Sequence, residues 1–168
     1  MISRLPTDVR FRRFEAMLQD HGLRASLAHL LDYTNYRFIG VFKFEDEQVK
    51  SVVFYDRENP GLMTAPDVPV SASYCCYVRD SKGVFTTADA LLDKRLVAHP
   101  ARELYQCYTG VPIMDAEGTL MGTICHYDVV PRDPEQLDWP LVLQVASTLA
   151  QGTALQQADQ AARRYRAA

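Results

Sequence analysis

Residues 105–128 constrain the fold more than any other stretch of this 168-residue chain. They read Tyr-Gln-Cys-Tyr-Thr-Gly-Val-Pro-Ile, then Met-Asp-Ala-Glu-Gly, then Thr-Leu-Met-Gly-Thr-Ile-Cys-His-Tyr-Asp. Asp115-Ala-Glu-Gly118 supplies a tight turn, with Gly118 taking the positive φ that other residues resist. The runs on either side are therefore paired strands. Polar and sulfur-bearing side chains interrupt them where a purely structural core would carry Val, Ile or Leu. Such insertions point to a sheet whose inner face looks at something other than protein. Gly122, inside the second strand, marks a bulge or the close approach of another group.

Upstream, apolar residues at Val9, Phe11, Phe14, Met17, Leu18, Leu23, Leu27, Leu30 and Leu31 fall on one helical face and predict a helix over 7–33. Thr7 is its expected cap, His21-Gly22 an expected break, and Asn35 its expected end. Residues 36–44 read as a strand. Phe38, Gly40, Phe42 and Phe44 face one way and Ile39 and Val41 the other, so both faces are apolar and the sheet should be covered on both sides. Glu45-Asp46-Glu47-Gln48 turns the chain into an antiparallel return over 49–55. Residues 56–69 form a long polar loop of the kind used as a lid or binding loop.

A Ser-capped helix is predicted over 71–80 and a short strand over 84–87. Asp89 is expected to cap a turn at 90–93, and Pro100 to open another turn ending at Leu104. Asp133-Pro134-Glu135-Gln136 is a strong helix start. That helix should run through Leu137, Leu141, Val142, Val145 and Leu149. Beyond Gly152 an Ala- and Gln-rich tail would either fray or pair with a partner helix.

The length suits one domain: an N-terminal helical arm (1–34), a sheet and crossover core (35–132) and a C-terminal helix (133–168). The fold class is α/β in the α+β sense. It has three layers: a five- or six-stranded antiparallel sheet, terminal helices on one face, and the crossover 60–104 on the other. A pocket would lie between crossover and sheet. The net charge of −3 argues against nucleic acid as the main partner. No run has the length and apolarity of a membrane helix, and charges interrupt the N-terminus where a signal peptide would be apolar. The expected location is cytoplasmic, where the four cysteines, Cys75, Cys76, Cys107 and Cys125, would be thiols.

Several motifs resemble those of GAF domains across about residues 25–150: Ser73-Tyr74-Cys75 with Val78; Phe85 with Ala88-Asp89-Ala90; Tyr108-Thr109-Gly110-Val111-Pro112-Ile113; and Gly118, Gly122-Thr123-Ile124-Cys125, Asp128 and Pro131-Arg132. The resemblance implies a small-molecule sensor domain, with Tyr74, Cys75, Val78, Asp89, Cys107, Tyr108 and Cys125 as the ligand-binding candidates. Family ligands range over cyclic nucleotides, haem, bilins, flavin, small anions and metabolites, and the fold does not choose among them. Members are commonly fused to an output domain. None is legible in this sequence, so signalling is expected to pass to a partner protein such as a histidine kinase. Pairing through the terminal helices, as in many members, would give a homodimer.

Two other classes compete. Free methionine-R-sulfoxide reductases share this fold and similar length, which makes Cys107 the alternative catalytic thiol, with Cys75 or Cys76 as its second cysteine if the crossover folds over Cys107. Their catalytic cysteine, however, lies further upstream of the Val-Pro strand, near Ala101 here. A dimerisation module with a filled pocket is the other. Asp89 could instead pair with Arg79 or simply cap its turn, and Arg57 and Arg102 could border the pocket and meet an anion. Cys125-His126 sits on a strand, unlike the bilin-attaching pair of photoreceptor members. Its side chains diverge, as do those of Cys75-Cys76, so no metal site is expected.

Overall fold

The computed structural model describes residues 5–168. Six strands form one antiparallel sheet in the order β3-β2-β1-β6-β5-β4. They are β1 (Phe38–Glu45), β2 (Gln48–Asp56), β3 (Val68–Pro69), β4 (Phe85–Thr87), β5 (Cys107–Met114) and β6 (Leu120–Asp128). Helices α1 (Thr7–Leu31), α3 (Trp139–Gln151) and α4 (Ala154–Ala167) cover one face, and α2 (Cys75–Ser81) lies on the other with the rest of the crossover. Among the described residues no helix is long and apolar enough to cross a membrane.

Both hairpins follow from their turns. Asp46 and Glu47 carry positive φ between β1 and β2, and Gly118 does so between β5 and β6. That is the handedness a tight antiparallel connection requires. Both ladders contain a register shift, between Val41 and Phe42 and between Ile113 and Met114. The second lies beside Gly122, where a Cβ would sit 2.6 Å from the Phe42 carbonyl oxygen of the neighbouring strand. Gly122 thus marks both a bulge and a close approach.

The sheet is buried on both faces, and alternation along each strand divides the core. Ile39, Val41, Val53, Cys107, Val111, Ile113 and Ile124 pack under the terminal helices. Phe38, Phe42, Phe54, Tyr108, Cys125 and Tyr127 pack under the crossover. A charge network pins the strand ends. The Arg37 guanidinium donates to both Asp56 oxygens at 2.9 and 2.8 Å. Buried Asp128 accepts from the Arg37 amide and from Arg132 Nε, each at 2.9 Å.

Several boundaries differ from the sequence expectation. Thr7 does not cap α1, because its hydroxyl donates to Asp138 instead, at 2.9–3.0 Å. The helix ends at Leu31, short of Asn35, and breaks at Gly22 (φ 85°) as expected. Residues 70–72 form a separate 3-10 turn, so the crossover helix begins only at Cys75, whose amide donates to the Ser73 hydroxyl. The two-residue strand β3, inside the segment expected to be loop, pairs with the start of β2.

The C-terminal helix is three pieces. Asp133 caps a 3-10 turn over Pro134–Gln136, Leu137 is extended, and Asp138 caps α3. Pro140 explains the interruption. A proline inside a helix begun at Asp133 would clash with the preceding turn, whereas it fits the first turn of a helix begun at Asp138. Past Gly152, α4 neither frays nor leaves the domain. It folds onto β2, tied by Lys43–Asp159 (2.8 Å), Arg163–Glu45 (2.7 Å) and a bond from Arg166 to the Ser51 carbonyl (2.7 Å).

His126 gives this core a pH signature. It is 1% exposed, opposite Thr109 on β5 and against the Tyr36 ring. Burial lowers its pKa from 6.5 to about 4. Above pH 6.5 it is neutral in both folded and unfolded chains and contributes no pH dependence. As pH falls from there to about 4 the unfolded chain binds a proton that the folded one refuses, so stability declines, by about 3 kcal/mol in all. Unfolding free energies of wild type and His126→Leu, measured by urea titration at pH 7 and pH 4, should show wild type losing about 3 kcal/mol more than the variant. Equal losses would contradict the assignment.

Candidate functional site

A cavity of about 230 Å³ lies between sheet and crossover. The sheet contributes Phe42 and Val49 from β1 and β2, Tyr108 from β5 and Tyr127 from β6. The loop after β2 adds Ala65 and Pro66, β3 adds Val68, and the stretch entering α2 adds Ala72 to Cys75. The turn at 100–105 closes the remaining side with Ala101, Leu104 and Tyr105. Pro66, Pro100 and Leu104 are exposed, so the cavity opens to solvent along that rim.

Aromatic rings make most of the wall. Tyr127 stacks on Phe38 (centroids 4.8 Å apart), and Tyr105 meets Tyr127 edge-on at 5.2 Å. Edge contacts of this kind add to the burial energy of the rings. The Tyr74 hydroxyl donates to the Tyr105 carbonyl over 2.9 Å, fixing the 100–105 turn against α2. Tyr105 and Tyr127 line the cavity, and their hydroxyls make no hydrogen bond with another described residue. Among the described residues, no charged side chain lines it.

A sulfur cluster lies at the inner wall. The Tyr108 hydroxyl donates to the Cys75 sulfur over 3.2 Å and lies 3.0 Å from that of Cys125. The two sulfurs are 3.7 Å apart. The hydrogen bond with Cys125 lowers the pKa of Cys75, while burial pushes both Cys125 and Tyr108 well above their ordinary values. Gly110 makes this possible. The Tyr108 ring folds back across it, and a Cβ there would lie 2.7 Å from the ring carbons. The Tyr-x-Gly spacing of β5 therefore has a steric reason.

The structure brings Tyr74, Cys75 and Tyr108 to the cavity wall, with Cys125 directly behind and Val78 wholly buried beneath. Cys107 is not there. It neighbours Tyr108 on one strand, so it points to the opposite face and packs under the terminal helices. Burial lifts its pKa to about 12. A relay between Cys107 and Cys75 would have to pass through the sheet, which removes the expected pairing. Asp89 lies outside the cavity, accepts from the Leu91 amide and caps its turn. Arg79 pairs with Glu47 and Asp80 rather than Asp89. Arg57 donates to carbonyls at the end of α1, and Arg102 to those of Ala90 and Leu91, so neither is positioned to meet an anion in the cavity. Phe42, Tyr105, Tyr127 and Ala101 were not singled out from the sequence. Tyr127 could have been, since it lies two residues from Cys125 on the same strand face.

No family model matches the chain. A cyclic di-GMP phosphodiesterase of Pseudomonas aeruginosa is 39% identical over 69 residues, which is 39% of this chain and 12% of that protein, so the match spans a small part of the relative. Solved structures match over nearly the whole length. The GAF domain of an Acinetobacter phosphoenolpyruvate-protein phosphotransferase superimposes with a TM-score of 0.68 at 14% identity, covering 94% of this chain and 97% of that one. The phycoerythrobilin-bound GAF domain of a cyanobacterial phytochrome gives 0.67 at 12%, covering 94% and 100%. A free methionine-R-sulfoxide reductase of Neisseria meningitidis, in complex with its substrate, gives 0.63 at 15%, covering 98% and 97%. At such identities the likeness is one of fold.

If Gly110 exists to seat the Tyr108 ring, Gly110→Ala should cost about 1–3 kcal/mol in urea unfolding, the usual cost of overpacking. In a Tyr108→Ala background the same change should cost markedly less, because the clash is gone. Additive effects would show that Gly110 serves something else.

Proposed function

We propose that this chain, which has the GAF-domain fold, works as a noncatalytic binding module that holds a small, uncharged, largely aromatic or aliphatic guest and reports its presence to a partner protein. The observation that carries this reading is the cavity wall, which is rich in aromatic rings and, among the described residues, free of charged side chains. Its volume exceeds the roughly 150 Å³ of an apolar cavity able to take benzene, and falls below the roughly 300 Å³ where drug-sized sites begin. A phosphate or carboxylate guest would enter without a cation to receive it, at the desolvation cost of a buried unpaired charge. Ser73, Tyr105 and Tyr127 are lining residues whose hydroxyls could meet one or two polar atoms of a guest.

The route outward also follows from the packing. The 100–105 turn and the loop at 65–68 both touch the cavity and both lie at the surface. A guest that fixes Leu104 and Tyr105 would alter the exposed rim that a partner could read. Coupling of this kind needs only that the guest prefer one rim arrangement over another.

A thermal-shift panel tests the reading. Uncharged one- and two-ring compounds at about 100 times their dissociation constant should stabilise the protein by about 2.7 kcal/mol. For a chain of this size that is roughly 5–11 °C in Tm. Nucleotides and dicarboxylates should give no shift. Ala65→Trp, placed to fill the cavity from its loop side, should fold normally and abolish the response. Stabilisation by the anions alone, no response to any uncharged ring compound, or a shift untouched by Ala65→Trp would each overturn it.

A further inference from the structure

We propose that Cys75 and Cys125 form a reversible dithiol–disulfide couple at the inner wall of the cavity, oxidised by hydroperoxides that enter through the open rim. The geometry supplies the parts. The sulfurs lie 3.7 Å apart with no atom of another residue required between them. A disulfide needs about 2.05 Å, so closure asks for a shift of less than 2 Å shared between two side chains. Cys75 lines the cavity and Cys125 sits behind it, so an oxidant reaches Cys75 first and the resolving thiol is already in place. A single buried thiol would be an ordinary core filler. Two in contact, on elements far apart in sequence and both touched by one tyrosine hydroxyl, form a constellation that packing alone does not call for.

The chemistry balances without further participants. Cys75 gives up its proton and, as its thiolate, attacks the distal oxygen of the hydroperoxide; the O–O bond breaks, the departing hydroxide or alkoxide takes up that proton as water or an alcohol, and Cys75 is left as the sulfenic acid. Cys125 sulfur then attacks the Cys75 sulfur, the S–O bond breaks, and the departing hydroxide takes the Cys125 proton as water. Two electrons pass from the thiols to the peroxide. An external dithiol restores both thiols by two exchange steps. Hydrogen bonds from Cys125 and Tyr108 favour the Cys75 thiolate, while Cys125 keeps its proton until the second step. Cys107 lies across the sheet, and half-buried Cys76 lies 3.8 Å from His99 on the outer side of α2, so neither competes as the resolving group.

The couple does not depend on a guest in the cavity, so its test is separate from that of binding. The reduced full-length chain is treated with a small excess of hydrogen peroxide and its intact mass recorded. A loss of about 2 Da, for two hydrogens, is expected, reversed by dithiothreitol. Non-reducing digestion with a protease that cuts at Asp115 or Glu117, between Cys107 and Cys125, should yield one cross-linked pair of peptides carrying residues 75 and 125. Because Cys76 shares the first peptide, the same link must persist in Cys76→Ser and vanish in Cys125→Ser. Should Cys125→Ser fail to fold, the cross-link in wild type and in Cys76→Ser still decides. Gain of about 16 Da per oxygen without a cross-link, a link to Cys107 or Cys76, or unreacted Cys75 and Cys125 in folded protein would overturn the proposal.

Discussion

Side chains along a strand alternate between two faces, and here both faces are buried. Everything about the site depends on that constraint. Neighbouring residues of β5 and β6 belong to different cores: Cys107 to the helical layer and Tyr108 to the crossover layer, Cys125 to the crossover layer and His126 to the helical one. A slip of one residue in register would exchange the two sets and place a thiol and an imidazole where the cavity wall needs rings. The bulges beside Phe42 and Gly122, and the Arg37–Asp56 and Arg132–Asp128 pairs at the strand ends, hold that register.

The cavity exists because the crossover is held off the sheet at its rim and tied down at its inner end. Tyr74 bonds to the Tyr105 backbone and Tyr108 to the Cys75–Cys125 pair, so the polar atoms of the inner wall satisfy one another. What remains as lining is largely ring and aliphatic surface. Such a wall offers, among the described residues, no charged side chain. The phycoerythrobilin-bound domain and the sulfoxide reductase show how widely the occupants of one fold differ.

The parts legible in the sequence are those written locally. Asp115 and Gly118 specify one hairpin, Asp46 and Glu47 sit in the other, and alternation at 38–44 foretells a sheet covered on both sides. The motif Tyr108-x-Gly110 points to the cavity wall, and Ser73-Tyr74-Cys75 to the segment opposite. The misreadings have physical causes. Asp133-Pro134 and Asp138-x-Pro140 are both sound helix starts, and the chain uses both, so weighing only the first runs one helix through a break. The strand β3 has two residues and no period to detect. The motif groups Cys107 with the site, although its position beside Tyr108 puts it on the other face. Tyr105 precedes the strand, and only the tertiary placement of the 100–105 turn brings it to the cavity.

The central claim is an open, apolar space bounded by Phe42, Tyr105, Tyr108 and Tyr127. Diffraction from crystals pressurised with xenon measures it most directly, since xenon enters dry apolar cavities and needs no knowledge of the natural guest. The account predicts a xenon atom in contact with the Tyr105, Tyr108 and Tyr127 rings. A crystal without xenon there, with Leu104 and Tyr105 collapsed onto Tyr108 and the space filled, would contradict it.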